Sequence, residues 1–595
     1  MSTTTRPAVS AAAVRTIAEL PFVAATAYGK RSALRSRGQA GWQSVSFREL
    51  AETVGAMARG LIEAGVAPGD RVCVLAETRP EWTYAGLAVV AAGGIVVPIY
   101  PSSSTEECEW VLGNSGARMV ICENAAQLAK VEHVRGRLSD LISTVVIDPA
   151  GAEATDTLAG LHEAGRSPAR QDDLDRRLAA IKPADACLII YTSGTTGPPK
   201  GCVLTHRNWL TLCTITEELS FLNGDDVVYL FLPLAHVFAQ IVQFASLYSG
   251  AELVYCGGDP RKVVAEMAET QPTFVPSVPR VFEKVYTLFA SACDPAWLSR
   301  AVAAGLEVRR MRATGAEVPA ATLAAFDEVD ALFAKVRGAF GGRLRQALSG
   351  AAPISPAVLE FFHAAGVPVL EGYGMTETTG LGTVNTLAYH RLGKVGVASP
   401  GTEVSLADDG EILMRGPHVF AGYWRDPDAT ADMVVDGWVH TGDLGEIDDD
   451  GFVAITGRKK DIIIITAGGK NIAPANLENE LRQSRWISQA VMFGDTRPYP
   501  VALVTLDADE IGPWARQRGL SEDMVALARH PAVRELIQGV VDDVNARYSH
   551  ATQVKRIAIL DRDLTQEAGE LTPTLKVKRG AVHRNHADMF AAMYD

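Results

Sequence analysis

The sequence predicts an α/β protein with three parts: a large N-terminal domain of parallel, helix-covered sheets, a small β subdomain, and a smaller α+β C-terminal domain. Three observations carry this. Apolar runs of strand length alternate with amphipathic helical segments from Phe47 onward. From Gly393 to Leu413 the pattern shifts to short strands split by turns such as Ala407-Asp408-Asp409-Gly410. A charged break, Arg458-Lys459-Lys460-Asp461, then precedes a compact tail.

The elements follow in order. Ser46 with Glu49 forms a capping box, after which Phe47, Leu50, Val54, Met57 and Leu61 share one helical stripe. A strand is expected at Arg71–Ala76, a helix from Pro80, a strand at Ile95–Ile99, a helix from about Thr105 and a strand at Arg118–Cys122. Cys187–Tyr191 reads as a buried strand, His206–Glu218 as a helix and Val227–Pro233 as a strand that runs into LAHVFAQ. FVPSVPR starts a helix through Phe282 and Val285, and the Ala-, Leu- and Arg-rich stretch Ser291–Phe340 has helical spacing. Strands resume at Arg345–Ser349 and Val367–Glu371, each ending in a small-residue loop. In the tail, a helix from about Pro474 precedes strands at Ala490–Gly494 and Val501–Leu506.

YTSGTTGPPKG, residues 191–201, joins hydroxyls, glycines and one cation in eleven positions. Glycines let the backbone approach an anion closely, while Ser193, Thr195, Thr196 and Lys200 supply donors and charge. A triphosphate suits this chemistry, and a plain surface turn has the same composition. It is not a Walker loop: counted from Gly194, Pro199 and Gly201 stand where that motif needs Gly and Ser or Thr. In GYGMTET, Thr376 and Glu377 offer hard oxygens suited to a phosphate and a magnesium ion, or simply a satisfied turn. His236 lies just past a strand and reads as a cleft residue or a core histidine. Asp443 falls in a tight Thr-Gly-Asp turn, and Asp448–Gly451 in a hairpin. Lys576, Lys578 and Arg579 follow a Thr-Pro-Thr turn near the end of the chain.

A net charge of −14 argues against a general nucleic-acid binder. The eight cysteines contain no CxxC pair, which points to neither a disulfide framework nor a zinc site and suits a reducing compartment. The N-terminus is interrupted by Arg6, Arg15 and Glu19, unlike a secretory signal. The longest apolar run, Ala85–Tyr100, holds Gly93, Gly94 and Pro98 and is shorter than the roughly 20 residues of a membrane span. A cytoplasmic protein is expected; peripheral membrane contact and oligomeric state, homodimer included, stay open.

Taken in order, YTSGTTGPPKG, LPLAH, SGAAP, GYGMTET, HTGD, GRKKD and LTPTLKVKR resemble the core motifs of the adenylate-forming enzymes, and the likeness extends from about Phe47 to the C-terminus. Within that superfamily, VPSVPRVFEKV, the helical insert after it and LTPTLKVKR look like the long-chain fatty-acid CoA ligases. Acetyl-CoA synthetases and luciferases usually end in a TGK type of motif, whereas here Leu575 stands before Lys576. No carrier-protein segment follows the small domain, which argues against an assembly-line module.

The resemblance implies an adenylation domain at residues 1–459 and a mobile domain at 460–595 that turns about Lys460. It implies a magnesium-dependent, two-step ligation of a fatty acid, ATP and coenzyme A. A fatty acyl-AMP ligase that serves a carrier protein is the alternative. By the same resemblance, Thr192, Ser193, Gly194, Thr195, Thr196, Gly197 and Lys200 hold phosphates, and Glu377 holds Mg²⁺ with Thr376 on the α-phosphate. Tyr373, Ala351 and Ala352 wall the adenine, Gly350 and Gly374 also bind the nucleotide, Asp443 and Arg458 take the ribose, and His236, Phe238 and Gly374 lie near the acyl chain. Lys576 is the catalytic cation, and Gly468, Gly469 and Lys470 face coenzyme A.

Overall fold

A computed structural model describes residues 14–152, 156–192, 198–466, 471–572 and 575–595. The expected capping box opens the helix Phe47–Glu63: the Ser46 hydroxyl accepts from Glu49 N at 3.2 Å, and Ser46 N donates to the Glu49 carboxylate at 2.8 Å. Its apolar stripe is buried throughout. Prolines begin the helices Pro80–Ala91, Pro279–Ala290, Pro356–Ala365 and Pro474–Arg482, where their missing N–H costs no hydrogen bond.

Two large sheets form the N-terminal domain. Among the described residues one has eight strands, in the order Gly422–Tyr423, Lys200–Thr205, Ala186–Thr192, Ile95–Ile99, Arg71–Leu75, Met119–Cys122, Ser143–Val146 and Asp156–Thr157. The pairings from Ile95–Ile99 outward to Asp156–Thr157 are parallel, as the alternation predicts. The other has nine strands and carries the parallel run Val227–Leu230, Phe274–Ser277, Gln346–Ser349 and Val369–Tyr373. One apolar core lies between the sheets and takes in Val74, Ile190, Leu230 and Leu370, together with Trp209 and Phe244 from the helices His206–Glu218 and Val237–Ser249. A second core covers the far face of the nine-stranded sheet with the helices Pro295–Ala313 and Ala320–Ala339, the region whose spacing read as helical.

One local expectation is revised, and one connection went unread. The chain does not cross over after the strand Ala186–Thr192. It returns antiparallel as Lys200–Thr205, so the glycine-rich run connects a hairpin, and Gly422–Tyr423 pairs on that hairpin's outer edge. Asp443 sits inside the ten-residue strand Trp438–Ile447 rather than in a turn; Gly442 at φ 70° kinks the strand there, and its pairing slips register. The strand belongs to a five-stranded antiparallel subdomain that includes Val453–Arg458, and the Asp448–Gly451 hairpin forms as expected.

The C-terminal lobe has a three-stranded sheet of Ile487–Phe493, Val501–Leu506 and Ile557–Ile559, covered by the helices Pro474–Arg482 and Pro531–Asn545. The short 3₁₀ turn Lys459–Asp461 links it to the β subdomain. All eight cysteines are free thiols and six are buried. Among the described residues no helix is long and apolar enough to cross a membrane.

Candidate active site

The candidate residues lie at the ends of the parallel strands and on the kinked β strand, and the C-terminal lobe reaches them through Lys576. The glycine-rich hairpin is anchored on both sides. Trp110 Nε1 donates to Pro199 O at 2.9 Å, the Tyr191 hydroxyl to Asn114 Oδ1 at 2.6 Å, and Trp424 N to Gly201 O at 2.7 Å. A Cβ on Gly201 would stand 2.8 Å from Ile189 Cγ2 and 3.1 Å from the Tyr191 ring, so any larger residue here would have to displace those packed side chains. Thr192 and Lys200 frame the loop; Ser193, Gly194, Thr195, Thr196 and Gly197 lie outside the described residues, as do Gly468, Gly469 and Lys470.

Thr376 and Glu377 occupy a buried 3₁₀ turn after the strand Val369–Tyr373. Glu377 Oε1 accepts a 2.6 Å hydrogen bond from the Tyr423 hydroxyl, and Phe420 N donates to Glu377 O at 2.9 Å. Gly350 follows the strand Gln346–Ser349, and Ala351 takes a left-handed φ of 68°. A Cβ on Gly374 would meet the Gly380 backbone at 2.6 Å, which requires glycine where two chain segments cross.

Asp443 is buried and doubly held. The Tyr373 hydroxyl donates to Oδ2 at 2.6 Å and Arg458 Nε to Oδ1 at 2.8 Å. Burial, and then the Asp443 charge, push the Tyr373 phenol well above its ordinary pKa, so it remains a donor. His236 caps the helix Val237–Ser249: its Nδ1 accepts Phe238 N at 3.1 Å, which leaves Nε2 to carry the proton. Burial, and then the Lys576 charge, lower its pKa to about 3, so the ring is neutral. Phe238 is buried, and its ring stands 3.7 Å from the place a Gly350 side chain would begin.

Lys576 belongs to the other lobe, yet its charge is felt by His236, Arg458 and Asp443. Its side chain reaches solvent, but enclosure in the cleft and then the neighbouring Arg458 guanidinium lower its pKa to about 8, against the opposing pull of Asp443. A tight turn presents it. Thr572 N donates to Lys576 O at 2.8 Å, Lys576 N to Thr572 Oγ1 at 3.0 Å, and Leu575 takes φ 59°. Behind the turn, the buried Glu570 carboxylate binds Arg562 and His586 at 2.7 Å each. Among the described residues, Arg280 pairs with Asp507 at 3.1 Å and Lys578 with Glu107 at 3.6 Å across the two lobes.

The family model for the AMP-binding enzyme matches residues 22–424, and that for the AMP-binding enzyme C-terminal domain matches residues 461–595. The chain belongs to the AMP-binding enzyme family. It is 39% identical to the long-chain-fatty-acid–CoA ligase FadD15 of Mycobacterium bovis over 93% of each chain. It is 32% identical to the long-chain-fatty-acid–CoA ligase ACSBG2 of Xenopus laevis, over 95% of this chain and 82% of that one. These relatives group it with the long-chain acyl-CoA ligases. Among solved structures, the adenylation domain of the Mycobacterium chelonae carboxylate reductase superposes with a TM-score of 0.77 at 21% identity, covering 97% of this chain and 91% of that one. The corresponding domain from Segniliparus rugosus, solved with AMP and a co-purified carboxylic acid, gives 0.76 at 21%, covering 97% and 94%.

In this AMP-binding enzyme the fold links Tyr373, Asp443, Arg458, Lys576 and His236 in one group, and Lys200 and Glu377 in another through Tyr423. Sequence reasoning missed Tyr423 and the residues that join the lobes. The Gly-Tyr pair before Pro427 was the available signal for Tyr423, but nothing local ties it to Glu377.

Proposed function

We propose that the enzyme ligates a long-chain fatty acid to coenzyme A through an acyl-adenylate, releasing pyrophosphate and AMP. The observation that carries this reading is the convergence of Lys576, Asp443 and His236 on one cleft, in a chain whose relatives bear that activity in their names. Attack of a carboxylate on the α-phosphate brings anions together, so preorganised cations govern the barrier. Lys576 neutralises the attacking carboxylate and the α-phosphate. Lys200 and the hydroxyls of the glycine-rich loop hold the outer phosphates, Thr376 meets the α-phosphate, Asp443 takes the ribose hydroxyls, and neutral His236 donates through Nε2 near the acyl carboxylate.

A magnesium ion suits the donor set. Glu377 offers one buried hard-oxygen ligand, and no group of three or more His, Cys, Asp or Glu among the described residues forms a cage of its own. Magnesium is commonly held by one or two carboxylates together with substrate phosphates. Bound there, it supplies positive charge to the phosphates. Residues 1–459 then form the adenylation domain and 460–595 the mobile one, with Lys460 as the pivot that withdraws Lys576 when the thiol enters. The membrane-partitioning substrate accords with peripheral contact at a lipid surface. A product assay across acids from C2 to C20 with ATP, Mg²⁺ and coenzyme A tests the reading. Acyl-CoA and AMP formed best with long chains support it, whereas acyl-AMP released without thioester indicates a carrier-protein acceptor.

A further inference from the structure

We propose that Tyr423 is a positioning residue that couples the phosphate-binding cation to the metal-binding carboxylate. The proposal rests on the functional reading above for the identity of those two charges. Three observations meet on this side chain. Its hydroxyl donates to Glu377 Oε1 at 2.6 Å. Its ring face receives Lys200, with Nζ 5.2 Å from the centroid. Its backbone is fixed in the sheet edge, where Tyr423 pairs with Cys202 on the strand that leaves the glycine-rich loop.

A free carboxylate rotates, and a metal ligand needs one oxygen aimed at the ion. Hydrogen bonds to the ligand's other oxygen supply that aim, and their loss commonly costs 10- to 100-fold in metal affinity. The Tyr423 hydroxyl occupies Oε1 in this way. The ring acts separately. A cation over an aromatic face is held electrostatically without a hydrogen bond, which keeps the Lys200 ammonium beside the loop with its donors free for phosphate oxygens. One residue thus sets the spacing between a cation and an anion that bind the same triphosphate. Phe420 packs edge-on against the ring at 5.0 Å between centroids, so the ring has little freedom to swing away.

The two roles separate by substitution. Tyr423→Phe removes only the hydroxyl, and Tyr423→Leu removes the cation–π contact as well. Calorimetric titration of the full-length protein with ATP, once with saturating Mg²⁺ and once in EDTA, reads both. For Tyr423→Phe the ratio of the Mg²⁺ affinity to the EDTA affinity is expected to fall about tenfold, and the Mg²⁺ concentration giving half-maximal ATP–pyrophosphate exchange to rise by a similar factor. Tyr423→Leu adds a further loss of several-fold in EDTA. An unchanged ratio in Tyr423→Phe overturns the proposal, and so does an equal loss with and without metal, which marks a merely structural residue. Melting curves of each variant identify misfolding, and Glu377→Gln is the reference for loss of the metal ligand. A wild-type protein with no Mg²⁺ dependence overturns the functional reading itself rather than the role of Tyr423 alone.

Discussion

Tyr373 and Asp443, seventy positions apart, share a 2.6 Å hydrogen bond in which the phenol donates to a buried carboxylate. With Arg458 on the other oxygen, the carboxylate is fixed before any nucleotide arrives. A hydrogen bond to a charged group contributes about 1.5–3 kcal/mol, so Tyr373→Phe is expected to raise the KM for ATP roughly tenfold. If Asp443 holds the ribose, the loss is less than additive with that caused by 3′-deoxy-ATP. Strict additivity in steady-state kinetics refutes the link.

Lys576 titrates near 8, and the sign of its effect follows from its role. The ammonium is the working form, so adenylation is intact below that pH and declines above it. The decline is expected in kcat/KM for ATP, which reports the free enzyme, and reaches roughly tenfold by pH 9. Lys576→Arg, always charged, flattens this alkaline limb. Lys576→Ala lowers adenylation by about 10² or more but leaves thioester formation from preformed acyl-adenylate. Equal loss in both half-reactions removes the lysine from its assigned place.

Arg280 and Asp507 tie the lobes in the arrangement that delivers Lys576. A partly exposed pair of this kind contributes about 0.2–1 kcal/mol. Asp507→Ala should therefore slow adenylation only two- to five-fold while sparing the thiol step, and the double charge swap Arg280→Asp with Asp507→Arg should restore it. Lys460→Pro is expected to do the reverse, impairing the thiol step more than adenylation. Rapid-quench assays of the separate half-reactions distinguish the two, and a Lys460→Pro enzyme normal in both refutes the pivot.

Glu371 is buried and accepts from Gly393 N at 3.0 Å, and burial raises its pKa to about 8. Its folded-state pKa exceeds the ordinary 4.5, so the folded chain holds a proton that the unfolded chain has lost between those values. Stability then falls as pH rises from about 4.5 to 8, by roughly 1–4 kcal/mol at most. Glu371→Gln is expected to melt higher than the parent at pH 8, with the gap shrinking at pH 5; a constant gap in calorimetric scans contradicts this.

The fold was legible because its cues are local. Prolines at helix starts and the Ser46–Glu49 box act within one turn of chain, and the apolar stripe from Phe47 to Leu61 within a single helix of about four turns. The proposed site residues stood out through motifs, since Thr376, Glu377, Asp443 and Lys576 each sit in a short run of small or turn-forming residues. The Tyr423–Glu377 and Arg280–Asp507 contacts span 46 and 227 positions and leave no periodicity to read. Asp443 was misplaced into a turn because Thr-Gly-Asp has turn chemistry, whereas the surrounding antiparallel pairing absorbs Gly442 as a kink.

Lys576 and Arg458 bring like charges together across the gap between the lobes. Asp443 offsets part of that repulsion in the empty site, and a polyphosphate seated between the two cations would turn the remainder into attraction. On the proposed function, that balance would favour engagement of the two lobes when a nucleotide is present over engagement on an empty site.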